Sequence, residues 1–175
     1  MKILFTLLLT ILLTSCTGNN MKPIDFKDQS PRLIIEDYLS GNVKAWGILQ
    51  NRSGKVTRQF SAELNGKWDG KQLILNEEFN WTDGEIQKRQ WIINKIDEHN
   101  YEGTAGDVAG KAKGYSYGPA FKFEYVLLVP IKGKEIKITF DDWIFKQDER
   151  VAINRATMTK FGIKVAELTV MFVKD

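Results

Sequence analysis

The chain has 175 residues and a formal net charge of +3, with no lysine and arginine cluster of the length that nucleic-acid binding requires. This length suits a single domain with a well-filled core. Plentiful glycine, five Trp, ten Phe and only four Pro are typical of a β-rich protein with tight turns.

The chain begins with a short apolar run that ends at its only cysteine. Lys2 precedes apolar residues 3–13, a run of about eleven residues, whereas a membrane-spanning helix needs roughly 20. Leu13 lies three residues before Cys16 and the small Ser15 lies one before it. This pattern resembles the lipobox of bacterial lipoproteins. An ordinary signal peptide with a chance cysteine nearby is the alternative.

The lipobox resemblance implies cleavage before Cys16 and acylation of that residue. Two or three acyl chains anchor a protein in a membrane for practical purposes permanently. Thr17 follows the cysteine in place of the aspartate that often retains lipoproteins at the inner membrane, so we expect an outer-membrane address facing the periplasm. The predicted organisation is a removed signal peptide at 1–15, a lipidated cysteine with a flexible tether at 16–30, and one β-barrel domain at 31–175.

One short helix is predicted before the β-rich part. Ser30 and Pro31 provide a helix cap and a first-turn proline, apolar residues then recur at helical spacing, and Gly41 ends the element. We therefore predict a helix over 31–40.

From residue 43 onward the hydrophobic pattern has period two, which predicts β-strands. The pairs Asn65-Gly66 and Asp69-Gly70 are typical of tight turns. The pattern predicts nine or ten strands, at 43–50, 56–64, 71–81, 85–97, 101–108, within the glycine-rich stretch up to 118, 121–130, 135–145, 151–161 and 163–174.

Sequential strands with short connections favour an antiparallel meander that closes on itself, because closure removes exposed sheet edges. Such an up-and-down barrel of about eight strands can hold one small ligand inside. A two-sheet sandwich is the alternative.

Several short motifs, in order, resemble the DUF3833 family of proteobacterial lipoproteins. The family has no assigned biochemical function, and the resemblance implies an all-β, lipocalin-like (calycin-type) barrel with one short N-terminal helix. It provides no catalytic residues. The motifs are Ala45-Trp46-Gly47, Gly54-Lys55-Val56, Gly66-Lys67-Trp68-Asp69-Gly70, Asp83-Gly84, Asp141-Asp142-Trp143, Asn154-Arg155 and Lys160-Phe161-Gly162.

Charged residues interrupt several apolar strand rows, and these rows are the candidates for the barrel interior. Buried charges are tolerated when they are paired and hydrogen-bonded. A cross-strand pair of Asp142 and Arg155 is geometrically possible, because the two residues lie on consecutive predicted strands. The candidate pocket residues are Arg58, Glu77, Arg89, Trp91, Asp142 and Arg155.

Three interpretations of these charges remain open. In the first, the charged residues form internal salt bridges that fix strand register. In the second, one arginine has no acidic partner and binds a ligand carboxylate or phosphate. In the third, Glu77 and Asp142 carry out acid–base catalysis. No catalytic motif, metal-ligand spacing or cofactor signature is present in the sequence. His99 is predicted to be a solvated loop residue.

The sequence therefore predicts a non-enzymatic envelope lipoprotein whose barrel binds a lipid, a fatty-acid-like molecule or another small hydrophobic molecule. We expect it to attach to the membrane through Cys16 and to bind no nucleic acid. A structural or assembly lipoprotein is the first alternative, and a lipid-directed enzyme is the second.

Overall fold

The computed structural model describes residues 21–131 and 133–175, which form a closed antiparallel β-barrel with two very short helices. Cys16 and the predicted signal peptide lie outside the described residues. The strands are β1 (Gly41–Asn51), β2 (Val56–Trp68), β3 (Gln72–Trp81), β4 (Ile86–Lys95), β5 (Asn100–Ala105), β6 (Ala112–Tyr117), β7 (Ala120–Ile131), β8 (Lys134–Lys146), β9 (Val151–Lys160) and β10 (Ile163–Lys174).

Each strand pairs with its neighbours in sequence, and β1 pairs with β10 to close the barrel. Trp46 of β1, for example, lies opposite Met171 of β10. The predicted all-β, up-and-down barrel of the lipocalin-like (calycin) type is therefore confirmed, and the sandwich alternative is wrong.

The two ends of the barrel differ. One end is closed by the segment 33–39, whose Leu33, Ile35, Tyr38 and Leu39 are buried. The opposite end, which we call the mouth, carries the connections at 52–55, 82–85 and 106–111 and the turns around Gly133 and Gly162. Apolar residues there remain partly exposed, so the mouth has a hydrophobic lining: Trp81, Val129, Ile136, Met158 and Val165.

The prediction of a helix over 31–40 is wrong at its start. The helix α1 spans only Ile35–Tyr38, and the Ser30–Pro31 peptide bond is cis. Leu33 is instead hydrogen-bonded to β6 and to the turn that follows it, because its N–H donates to Gly118 O (2.8 Å) and its carbonyl accepts from Ser116 Oγ (2.9 Å). These tertiary hydrogen bonds override the local helix signal.

The structure also differs from a flexible tether over 16–30. Pro23–Phe26 forms a 3₁₀ helix against the outer wall. The Phe26 ring packs on Phe145 at 5.4 Å and on Trp143 at 6.0 Å between ring centres. Gly118 passes so close to this segment that a Cβ atom there would lie 1.9 Å from Phe26 O. Residues 23–26 of the predicted tether therefore pack on the barrel.

The expected turn at Asn65-Gly66 is not a turn. Both residues lie inside β2, whereas Asp69-Gly70 does reverse the chain, with Gly70 at φ +98°. Glycine is needed at position 66 for another reason: a Cβ atom there would lie 1.9 Å from Leu39 O. The glycine lets the closing segment approach the sheet.

A buried ion pair fastens the closing segment. The Glu36 carboxylate, in α1, is buried and accepts hydrogen bonds from Lys95 Nζ and from Tyr101 Oη, the latter at 2.8 Å. Burial alone would raise the pKa of Glu36, but the hydrogen bonds, chiefly from Lys95, outweigh it and hold the pKa below its ordinary value. Lys174 Nζ donates to the carbonyl oxygens of Asp37, Tyr38 and Ser40 at 2.7, 2.9 and 2.7 Å.

We expect Lys95→Met to lower the free energy of unfolding by about 2 kcal/mol, because it leaves the Glu36 charge buried without its cation. Lys88→Met is the matched control, since its ion pair with Glu78 is exposed to solvent, and it should change stability by less than about 0.5 kcal/mol. Urea unfolding at neutral pH measures both. Equal effects of the two variants would contradict the assignment of Glu36 as a buried anchor.

No helix within the described residues is both long and apolar enough to cross a membrane.

Candidate functional site

A cluster of charged and polar side chains lies inside the apolar barrel. Glu77 of β3 and Arg89 of β4 are cross-strand partners, and Asp142 lies across the interior on β8. Each belongs to an alternating row that also contains buried apolar residues, for example Leu75 before Glu77 and Trp91 after Arg89. The alternation of the strands therefore positions these three charges, and Trp91, in the interior.

Arg89 is held mainly by a residue that the sequence did not indicate. Asp107, from the connection between β5 and β6, accepts from Arg89 Nη2 at 2.8 Å and from Nε at 3.0 Å. Glu77 Oε2 lies 3.8 Å from Arg89 Nη1, too far for a hydrogen bond. Within the described residues, this buried oxygen has no hydrogen-bond partner of normal geometry, although the neighbouring Trp91 N–H lowers the pKa of Glu77 and is the smallest of its influences.

Asp142 forms the second half of the cluster. Its Oδ2 accepts from Tyr125 Oη at 3.2 Å, and its Oδ1 accepts from Asn154 Nδ2. Asn154 Nδ2 also donates to Trp143 O at 3.1 Å. Both donors are neutral, and no lysine or arginine of residues 21–131 and 133–175 forms a salt bridge with Asp142, whereas Glu77 lies beside Arg89.

The environment makes both carboxyl groups titrate close to neutral pH. Burial raises the pKa of Glu77 to about 7, although the charge of Arg89 opposes the shift. Burial likewise raises the pKa of Asp142 to about 6, against the hydrogen bonds from Asn154 and Tyr125. For Arg89, burial would lower the pKa, but the charges of Glu77 and Asp107 outweigh it and raise the pKa. The cluster thus combines one permanent cation with two protonatable carboxyl groups.

The cluster borders a cavity of about 100 Å³. Its remaining walls are mostly apolar, and they include Trp91, whose ring packs on Phe123 at 5.0 Å and on Tyr125 at 5.2 Å. Ligand pockets in proteins usually measure about 300–1,000 Å³, and a 150 Å³ apolar cavity accommodates a benzene molecule. This cavity is thus smaller than an alkyl chain requires, and most of the interior is filled by side chains.

Arg58 lies at the mouth, away from this cluster. Its guanidinium carbon sits 3.9 Å above the Trp81 ring centre, and its Nη2 donates to Asp83 Oδ1 and Glu85 Oε2, both at 2.8 Å. Arg58 therefore joins β2 to the end of β3 and to the connection that follows it, and it has two acidic partners of its own.

The pair of Asp142 and Arg155 that the sequence allowed does not form, and the placement of Arg155 in the interior is wrong. Arg155 lies on the outer wall, exposed, and pairs with Glu167 at 3.1 Å. The inward row of β9 is Ala152, Asn154 and Ala156, so the apolar Val151 and Ile153 that suggested an inward row belong to the outside. All three candidate arginines thus have acidic partners, and none is left over for a ligand carboxylate.

Three site residues were missed from the sequence. Tyr125 follows Phe121 and Phe123 in an apolar alternating row, and this pattern was a usable signal for an interior position. Asn154 lies between Ala152 and Ala156 in its alternating row, and such small residues give only a weak hydrophobic signal. Asp107 lies on a connection, where periodicity gives no information.

No group of three or more His, Cys, Asp or Glu side chains within residues 21–131 and 133–175 is placed to hold a metal ion. His99, which was expected to be a solvated loop residue, stacks on Tyr117 at 4.1 Å and its Nδ1 lies 2.8 Å from Ser116 O. It lies at the closed end, outside the cluster.

A family model described as "Protein of unknown function (DUF3833)" matches residues 10–174. The chain belongs to the DUF3833 family. The resemblance noted in the sequence is thereby confirmed over nearly the whole chain. No curated protein is similar enough in sequence to match this DUF3833 protein.

Solved structures similar to this DUF3833 barrel include an S-type phycobiliprotein lyase, CPES, from Guillardia theta. It has a TM-score of 0.57 and 9% identity over 80% of this chain and 90% of that one. Another is a protein of unknown function from the DUF3598 family of Nostoc punctiforme, with a TM-score of 0.62 and 13% identity. That match covers 84% of this chain and 51% of the other, so the present chain spans about half of it. At these identities the likeness concerns the fold.

Proposed function

We propose that this protein is a lipid-anchored envelope protein, held in the outer membrane and facing the periplasm, whose barrel binds a small amphiphilic molecule without transforming it. The observation that carries the proposal is the cavity beside Glu77, where a buried carboxylate oxygen without a hydrogen-bond donor borders aromatic walls. An apolar cavity with a few convergent polar groups and shifted pKa values is the usual form of a ligand site.

The charge of the cluster defines the polar end of that ligand. Glu77, Asp107 and Asp142 outnumber the single cation, Arg89, whose guanidinium is already occupied by Asp107. A ligand carboxylate would meet more like charge than opposite charge. The site therefore favours a head group that donates hydrogen bonds, such as an alcohol or an amine, over the head group of a fatty acid.

The apolar part of the ligand would extend toward the mouth, where partly exposed apolar side chains line the interior. The cavity of about 100 Å³ holds only the head group region, so side chains such as Met158 must move to admit an alkyl chain. Methionine has a flexible, unbranched side chain that adapts to such changes.

Native mass spectrometry of the protein purified from membranes tests this proposal. We expect a bound neutral or cationic amphiphile on the wild type and on Arg155→Ala, because Arg155 lies outside the barrel. Occupancy should fall severalfold in Asp142→Leu, which places an apolar group against Tyr125 and Asn154. Repeated absence of any bound molecule from the wild type would contradict the proposal.

A structural or assembly role is the second candidate, and it is favoured by the small size of the cavity and by the pairing of all three arginines. It predicts one dominant protein partner after cross-linking in cells. It also predicts that a variant such as Asp142→Leu keeps its function in the cell.

A further inference from the structure

The turn between β9 and β10 carries an aromatic residue where neither burial nor backbone preference favours one. Phe161 is 93% exposed and adopts φ +51°, and Gly162 follows at φ +77°. Two-residue turns with positive φ at both central positions prefer Asn, Asp or Gly first. A residue that breaks its local rules without a structural gain points to a function.

The neighbours of Phe161 give this tip the character of a membrane contact. Ile163 is 56% exposed, Lys160 Nζ lies 5.4 Å from the Phe161 ring centre, and Lys164 follows in β10. Lys164 is paired with Glu167 at 3.2 Å. Exposed apolar residues between lysines suit the boundary between acyl chains and anionic head groups. Further exposed apolar residues on the mouth are Val56, Ile86 and Ile131.

The N-terminal segment approaches the same side of the barrel. Met21 lines a depression on the outer wall together with Trp143 and Phe145 of β8, Thr157 of β9 and Glu167 of β10. Thr157 and Glu167, on the mouth side of this depression, are each four positions from the turn, counted to Phe161 and Ile163, which corresponds to about 13 Å along the strand. The five peptide steps from Met21 back to Cys16 reach at most about 18 Å. From the mouth side of the depression, this reach is long enough to bring an acylated Cys16 level with the tip.

We infer that the barrel docks mouth-down on the bilayer, with Phe161 and Ile163 in the head group region and Lys160 and Lys164 against anionic lipids. The inference rests on the proposed acylation of Cys16. In this orientation the mouth faces the membrane, so an amphiphile passes between bilayer and barrel with a short exposed path. The competing orientation lies on the outer wall, where Trp46, Met171 and Ile153 form an exposed apolar row across β1, β10 and β9.

The test uses the full acylated chain in vesicles of phosphatidylethanolamine and phosphatidylglycerol, with a thiol-reactive, environment-sensitive fluorophore at one introduced cysteine. Acylation blocks Cys16, so Ile163→Cys, Ile96→Cys and Met171→Cys each offer a single thiol. Ile163 and Ile96 are a matched pair, being 56% and 59% exposed at the mouth and at the closed end. Head-group spin-labelled phospholipids serve as the quencher.

We expect severalfold stronger quenching at position 163 than at 96 or 171, and loss of that difference when Phe161→Glu is added. Stronger quenching at 171 would overturn the inference in favour of the outer-wall orientation. Equal, weak quenching at all three positions in protein that still sediments with vesicles would overturn docking and leave the anchor intact. If wild-type protein were labelled at Cys16 and stayed in solution, Cys16 would not be acylated, and this result would contradict both the membrane anchor and the docking.

Discussion

Glu77→Gln should make the protein more stable at pH 8, by about 2 kcal/mol, and should flatten the dependence of stability on pH between 5 and 8. The pKa of Glu77 is about 7 in the folded protein, against an ordinary value of 4.5. In that window the folded state binds a proton that the unfolded state has released, so the free energy of unfolding decreases as pH rises. Glutamine keeps the shape and removes the titration.

Glu78→Gln is the control, because Glu78 is the next residue along β3, points outward and forms an exposed ion pair with Lys88. The free energy of unfolding of Glu78→Gln should follow the wild-type pH profile within about 0.5 kcal/mol.

Asp142, with a pKa of about 6, adds a smaller decrease of the free energy of unfolding with rising pH, between about pH 4 and 6. Below that range Glu36 acts oppositely, because its lowered pKa means that stability is lost as pH falls. Urea unfolding from pH 5 to 8 provides the profiles, and parallel profiles for Glu77→Gln and wild type would contradict the buried position of Glu77.

Arg89→Leu should destabilise the protein at pH 8 by about 3–5 kcal/mol, because among the described residues Arg89 is the one cation that pairs with Asp107 and Glu77. The decrease in the free energy of unfolding should be smaller at pH 5, because Glu77 is protonated there in the folded state. Arg155→Leu removes an arginine of the outer wall and should cost less than about 0.5 kcal/mol at either pH.

Equilibrium unfolding of the two arginine variants at pH 5 and 8 measures this prediction. If Arg89→Leu lowered the free energy of unfolding as little as Arg155→Leu does, Arg89 would not be the central cation of a buried cluster. A loss for Arg89→Leu that did not depend on pH would show that Glu77 is not coupled to it.

The strands and their inward rows followed from alternation, because a half-buried strand must repeat every two residues. This placed Glu77, Arg89, Trp91 and Asp142 inside. Alternation alone does not say which of two rows faces inward, and in β9 the larger apolar residues are outside. Arg155 was therefore assigned to the wrong face, while the true inward row of small residues around Asn154 carried little hydrophobic signal.

Features set by tertiary contacts could not be read from the sequence. The segment before β1 looked like a capped helix, but its backbone hydrogen bonds to β6 decide its conformation. The polar stretch around Phe26 looked like a tether, although Trp143 and Phe145 give that ring a surface to pack on. Asp107 reaches Arg89 from a connection, where neither periodicity nor spacing locates a side chain.

In the proposed function the barrel binds an amphiphile through a head group that donates hydrogen bonds to Glu77 and Asp142. Titration calorimetry with an alkyl alcohol, an alkyl amine and a fatty acid of equal chain length measures this preference. The alcohol and the amine should bind, the amine more tightly as pH rises from 6 to 8 and the carboxyl groups ionise, and the fatty acid should bind most weakly. Tightest binding of the fatty acid, or no binding of any member of the series, would contradict the claim.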